Sequence, residues 1–315
     1  MPSHQPNFRF DFKYTPIKYD KKTSLLTLAA EPDPERYEIK EENGEKWYYD
    51  KFDHVCYSEK MIIKFHLSFK GLPLYYSPSK IDDADKYIND RITATLKFFE
   101  NNNKNFEFVS EDDSEDFLED LDNVEMNFVI LSIDLKDSTK MSQDLPKQLN
   151  VKIISLFYQE MILLINNFNG YVLKPTGDGL IAYFPEPNTI GKVDNALNCA
   201  DLMREIIIHV INPLLVENSA PNLYFRIGID FGKDTVKIMG VKGIKSSTEL
   251  IGETINIAVK MQNLAKENEI IVGASAVHKA HTYWRKRLRR FKLPKEWKYI
   301  DKLTGKRYPL YYLKD

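Results

Sequence analysis

Cysteine is scarce in this chain. Cys56 and Cys199 are the only two in 315 residues, which excludes a disulfide framework and any Cys-x-x-Cys motif. Such usage predicts a reducing, intracellular setting. A basic excess is also missing: 44 Lys and Arg face 46 Asp and Glu, for a formal net charge of −2. Composition therefore gives no support to nucleic-acid binding. No run approaches the roughly 18 apolar residues of a membrane span, and the opening MPSHQPNFRFDF lacks the apolar core of a signal peptide. The expectation is a cytoplasmic protein with neither membrane nor nucleic acid as partner. His54, Cys56 and His66 are near neighbours in the sequence, but their spacing matches no familiar zinc pattern and a fourth ligand is missing. What remains is an ordinary soluble composition, 43% hydrophobic, long enough for one large domain with extensions.

Three regions follow from the patterning. Residues 1–123 read as an accessory region of unknown role. It contains a hairpin in which Arg36–Lys40 and Lys46–Tyr49 flank Glu41-Glu42-Asn43-Gly44, a strand at Met61–Phe69 punctuated afterwards by Pro73 and Pro78, and a helix at Ala84–Phe99. Nine of the fifteen residues from Glu111 to Glu125 are acidic, marking a boundary before the main domain at 124–275. A basic extension, 276–315, begins with the Lys- and Arg-rich stretch Lys279–Lys298, which reads as a solvated face. Within the main domain the order is strand Val129–Asp134, helix Lys147–Phe168, hairpin Gly170–Phe184, helix Asp194–Val210 and strand Tyr224–Phe231. A second hairpin at Lys233–Gly240, a helix near Thr254–Lys266 and a strand at Glu269–Val272 complete it. This predicts an α+β sandwich, helices packed on a mixed sheet.

Two aspartates stand where folding alone does not require them. Asp134 ends the apolar run FVILSID, and Asp178 lies between Gly177 and Gly179 in LKPTGDGLIAYF. The first places a carboxylate at a strand end, the second at the tip of a tight turn that glycine permits. Two such acids can converge on one hard divalent cation, which points to phosphate chemistry. Singly, either could equally be a turn former or part of a helix N-terminus. Downstream, Glu249 precedes Leu250-Ile251-Gly252, and Asn256 and Lys260 are four apart, so on a helix they share a face.

Together these stretches resemble a class III nucleotidyl cyclase catalytic domain, the fold of adenylate and guanylate cyclases. The residues that carry the resemblance are Ser132-Ile133-Asp134-Leu135, Lys174-Pro175-Thr176-Gly177-Asp178-Gly179, Phe225-Arg226-Ile227-Gly228-Ile229 and Glu249-Leu250-Ile251-Gly252-Glu253-Thr254-Ile255-Asn256. The resemblance implies a ferredoxin-like, palm-type sandwich with a largely antiparallel sheet. It makes Asp134 and Asp178 the metal carboxylates for two Mg²⁺ or Mn²⁺ ions per site, with the Leu135 carbonyl a further ligand. It puts Lys174 and Glu249 at base-reading positions, Asn256 at a substrate-positioning one, and Lys260 where the family usually has a transition-state arginine. Lysine keeps the charge there but loses the planar fork. The family's sites are composite, so a homodimer is implied, in which one chain gives the acids and its partner the base readers and the Asn–Lys helix.

The substrate so implied is a nucleoside triphosphate. Lys174 can only donate and an ionised Glu249 can only accept. The pair complements a carbonyl beside a ring N–H, as in uracil or guanine; adenine and cytosine are satisfied in swapped roles. The architecture, with its tail LPKEWKYIDKLTGKRYPLYYL, resembles the pyrimidine cyclases of bacterial anti-phage Pycsar systems. That likeness implies UTP, or CTP, converted to a cyclic nucleotide read by a separate effector protein. The alternatives are a guanylate or adenylate cyclase of the same fold, and a catalytically inactive nucleotide-sensing or dimerisation module.

Overall fold

A computed structural model of the chain describes residues 9–68, 78–100, 117–185, 191–241, 245–302 and 304–314. The chain divides into two units: residues 1–75 with 279–286, and residues 76–278 with 287–315. The boundaries read from the sequence, 123/124 and 275/276, lie elsewhere than these. The acidic run marks no border, the basic stretch crosses one at 286/287, and both residues 76–123 and residues 287–315 belong to the larger unit. Residues 111–116 of the acidic run, and Pro73, lie outside the described residues.

The smaller unit holds a hairpin of β1 (Phe12–Asp20) and β2 (Leu25–Pro32). A three-stranded sheet follows, β3 (Tyr37–Glu42), β4 (Glu45–Asp50) and β5 (Val55–Ser58), and then helix α1 (Glu59–Ser68). The expected hairpin is there, with Asn43 and Gly44 both at positive φ. The expected strand at Met61–Phe69 is instead α1. Ile62 is buried and Phe65 packs beside it on a cluster of Phe10, Tyr37, Tyr48 and Tyr57, a three-residue spacing. Alternation would have turned Met61 and Ile63 inward, and both are about half exposed. At Tyr37 this cluster meets an ion network. Fully buried Arg36 donates to Asp11 (2.9 Å), Asp50 (2.8 Å) and Asp53 (3.3 Å). Asp11 also accepts from the Thr282 amide and hydroxyl, and Arg285 binds Asp53 with both guanidinium nitrogens. Burial pushes the Asp11 carboxyl up, but the charges of Arg9 and Arg36 and the bonds from Thr282 and Arg36 outweigh it and hold it below the ordinary value. The expected solvated face is thus in part a set of buried anchors.

The larger unit begins with α2 (Ala84–Glu100), then β6 (Glu125–Leu135), α3 (Ser138–Asp144), α4 (Lys147–Asn167), β7 (Tyr171–Pro175) and β8 (Gly179–Pro185). Next come α5 (Lys192–Ile206), which runs through a π-helical turn (Ile207–Ile211) into α6 (Asn212–Glu217), then β9 (Phe225–Val241), β10 (Lys245–Gly252), α7 (Glu253–Leu264) and β11 (Glu269–Gly273). Helix α8 (Ala274–Lys279), β12 (Leu288–Arg290) and β13 (Leu310–Leu313) end it. The sheet has eight strands in the order β12-β13-β11-β9-β6-β8-β7, with β10 on β9. Among the described residues only β9 and β11 pair in parallel. This is the expected α+β sandwich with a mixed, mostly antiparallel sheet. One strand, β9, replaces the separate strand and hairpin expected over Tyr224–Gly240. Its first half pairs with β11 and β6, and its second half with β6 and β10.

Strand β6 is the spine. Phe128–Leu131 and Ile133 are wholly buried, each contributing about 2 kcal/mol by apolar burial. Helix α7 lies directly on β9, because a Cβ at Gly228 would come within 2.2 Å of the Ala258 carbonyl. Helix α4 is, by length and composition, apolar enough to cross a membrane, contrary to the sequence expectation. Here its apolar side, Ile153, Phe157, Met161 and Leu164, is buried in the fold. Its buried Glu160 is paired with Arg91 of α2 through two bonds.

Candidate active site

Strand β6 runs one residue past Asp134, to Leu135, before the chain turns into α3, and β8 meets it in register: Asp134 pairs with Gly179, the residue after Asp178. The approach is close. A Cβ at Gly179 would lie 2.2 Å from the Ile133 carbonyl and 2.8 Å from the Asp134 Cα, so only glycine brings the Asp178 turn against the strand. Gly177, at φ 99°, makes the turn itself. The Leu135 amide donates to the Asp178 carbonyl at 3.3 Å. The Tyr158 hydroxyl of α4 donates to the Gly179 carbonyl at 2.7 Å and to that of Gly177 at 3.2 Å, bracing the loop.

The two carboxylates therefore stand side by side. Burial raises the Asp134 carboxyl above its ordinary value, and the neighbouring Asp178 raises it further, against the pull of Arg226. Arg226 of β9 donates to Asp134 Oδ2, as does Gln262 Nε2 at 3.1 Å, while Ser138 donates to Asp178 Oδ2. Arg226 was visible inside a sequence motif but carried no spacing signal. Ser138, Tyr158 and Gln262 reach the acids only through tertiary packing.

Among the described residues no group of three or more His, Cys, Asp or Glu converges as a metal cluster. Two adjacent, mutually repelling carboxylates suit a different mode. Mg²⁺ and ions like it are held through one or two carboxylates, with water and substrate phosphate completing the shell. The donor set is all oxygen, as those hard ions require. Asp134 and Asp178 fit such a group.

Lys174 of β7 and Glu249 of β10 form an ion pair, so the two expected base readers do meet. Asn256 and Lys260 share the exposed face of α7, and Asn256 Nδ2 donates to the Gly252 carbonyl at 2.8 Å. The opposite face of that helix is buried and carries Gln262 to Asp134. The acids and the Asn256–Lys260 face thus open in different places. Asp178 lines a cavity of about 500 Å³ with Ser138, Thr139, Asn150 and Gly177. Lys260 lines another of about 480 Å³ with Asn263, Trp297, Lys298 and Tyr299. These two cavities have no residue in common.

Comparison with known proteins agrees with the fold. A family model described as adenylate and guanylate cyclase catalytic domain matches residues 119–299, more than half of the chain. The chain belongs to this family. It is 32% identical over 123 residues to a cytidylate cyclase of Escherichia coli, covering 36% of this chain and 27% of that protein. To a cytidylate cyclase of Staphylococcus aureus it is 30% identical over 151 residues, 45% of this chain and 35% of the other. To a uridylate cyclase of Rhodovulum sp. it is 27% identical over 157 residues, 48% of this chain and 64% of the relative. The chain thus spans about a third of the length of the cytidylate cyclases it matches. Among solved structures, the adenylyl cyclase CyaB from P. aeruginosa shares the fold at TM-score 0.52 and 17% identity, over 61% of this chain and 95% of that one. The guanylyl cyclase Cya2 does so at 0.51 and 18%, over 60% and 92%.

Proposed function

We propose that the chain is a nucleotidyl cyclase acting on a pyrimidine nucleoside triphosphate, and that its active site is completed by a second copy of the chain. The observation that carries this reading is the adjacency of Asp134 and Asp178, with Asp178 lining one cavity while Lys260, on the exposed face of α7 with Asn256, lines another. The reaction is attack of the ribose 3′-hydroxyl on the α-phosphate with loss of pyrophosphate. Asp134, Asp178 and the Leu135 carbonyl would hold the divalent cations, Mg²⁺ or Mn²⁺. When bound, these lower the pKa of the hydroxyl and neutralise the triphosphate.

The chain's own residues do the rest. Arg226 places a guanidinium beside the acids, where it can engage phosphate oxygens bidentately. Lys174 donates to a base carbonyl and Glu249 accepts from the ring N–H beside it, a match to uracil. Asn256 orients the substrate, and Lys260 stabilises charge developing on the phosphates. Cytosine is the second reading for the base, favoured by the cytidylate cyclases among the relatives. A cyclic pyrimidine nucleotide released by the enzyme would act as a messenger to a separate effector, as in anti-phage defence.

Purified protein supplied with Mn²⁺ and each of the four ribonucleoside triphosphates, read by mass spectrometry, tests the proposal. Cyclic UMP as the main product supports it in full, and cyclic CMP supports it with the bases exchanged. A cyclic purine would overturn the pyrimidine assignment, and no cyclic product from any of the four would overturn the cyclase reading.

A further inference from the structure

Asp234 belongs to none of the pairs described above, yet it is almost wholly buried, at 1% exposure. It sits on β9 opposite Gly252 of β10. Its Oδ1 accepts from the Thr254 amide and its Oδ2 from the Ile255 amide, both at 3.1 Å. Those are two of the orphan amides in the first turn of α7, which no intrahelical carbonyl can satisfy. The residue at the helix's own N-cap position is Gly252, which has no side chain to cap with. The cap is supplied across the sheet instead, by a carboxylate whose charge also suits the positive end of the helix dipole.

Glycine at 252 is dictated by this contact. The backbone there is extended, φ 174°, and any residue could adopt it. A Cβ, however, would lie 1.7 Å from Asp234 Oδ1 and 2.5 Å from its Cγ. The carboxylate fills the space a side chain would take. The carbonyl of the same glycine receives the Asn256 side-chain amide at 2.8 Å. The grip of Asp234 on the first turn therefore also fixes the point from which Asn256 is aimed. Lys260 follows one turn later on the same face.

We propose that Asp234 is a positioning residue for the Asn256–Lys260 half of the active site. It acts through α7, holding that face in the geometry a partner's substrate requires, and it has no part in the acid pair. This rests on the cyclase reading with a composite site. Misplacement of a reacting group by about 1 Å costs on the order of 10²-fold in rate, so a cap at this position bears on turnover more than on binding.

Asp234→Asn keeps the shape but turns an NH₂ toward one of the two amides. It is expected to lower kcat by about 10- to 100-fold while KM moves by no more than about twofold. Gly252→Ala displaces the same carboxylate from the other side and is expected to act alike. Mixed dimers assign the defect to a half-site. An Asp234→Asn chain still carries good acids, so mixing with Asp134→Ala should restore one sound site per mixed dimer. Mixing it with Asn256→Ala should restore none. Hydrogen exchange supplies a readout without turnover: the Thr254 and Ile255 amides should lose protection in both Asp234→Asn and Gly252→Ala. Equal behaviour in the two mixtures, or unchanged exchange at those amides, overturns the proposal. A wild-type chain that makes no product overturns the cyclase reading and this role with it. Failure of Asp134→Ala to complement Asn256→Ala refutes the composite site on its own.

Discussion

Asp134 is pulled two ways. Arg226 and Gln262 donate to it, yet it is buried against Asp178, which raises its proton affinity. A pair of this kind is costly to the fold and useful to a cation. Asp178→Asn should therefore abolish turnover, by more than about 10²-fold. Melted in EDTA, the same variant should be no less stable than wild type; a clear drop in melting temperature would mean the turn depends on the carboxylate. On the proposed reading Lys260 does the work of a transition-state cation, and Lys260→Arg would supply a planar fork there. The expected result is a kcat raised several-fold, measured at saturating nucleotide. Asp230, on β9, shows the same conflict outside the site. Burial lifts its carboxyl to about 7, against the bond from the Tyr308 hydroxyl. The native state then holds a proton the unfolded chain has lost between pH 3.8 and about 7. Stability should fall as pH rises through that window, by up to about 1.4 kcal/mol per pH unit, and level off above it. In Asp230→Asn that slope should be missing from denaturant titrations run at several pH values.

At the scale of elements, the ion network around Arg36 ties residues 279–286, a segment between α8 and β12 in sequence, to the N-terminal strands. Asp53 serves both Arg36 and Arg285, so Asp53→Ala removes the carboxylate that buried Arg285 grips with two nitrogens and one of the three that Arg36 binds. The expected loss is about 3 kcal/mol in urea unfolding. A loss under about 1 kcal/mol would show the network to be replaceable. Little of this was legible in the sequence, because buried charge looks like surface charge until its partners are known. Lys279–Lys298 reads as wet, and Arg285 and Arg287 are in fact paired with Asp53 and Asp201. Where the signal was periodic, the sequence spoke clearly: β6 as a doubly covered run, α4 by its 3.6-residue repeat, β7 and β8 by the turn between them. Helix α1 was misread because ten residues of mixed apolar and basic character fit both periods. The long β9 was broken in two because Gly232 looks like punctuation. Gly228 is where α7 rests on the strand. Asp134 and Asp178 could be picked out because one follows an apolar strand run and the other lies between two glycines, whereas Lys174 and Glu249 stood out only through the resemblance of their motifs to the family. Asp234 could not, since its meaning lies in a helix twenty residues away.

On the scale of the whole molecule, one chain carries every residue type the proposed reaction calls for but presents them in two places. The face of α7 that bears Gln262 turns toward Asp134, and the face that bears Asn256 and Lys260 turns away. A two-fold dimer would bring the acid pair of each copy to the α7 face of the other, giving two sites per dimer. The measurement that tests this most directly is turnover in a mixture of Asp134→Ala and Asn256→Ala chains. Each variant alone should be inactive. Random pairing makes about half of all dimers mixed, each with one intact site, so an equal mixture should recover about a quarter of wild-type turnover per chain. No recovery, with mixed dimers shown to form, would contradict a site shared between two chains.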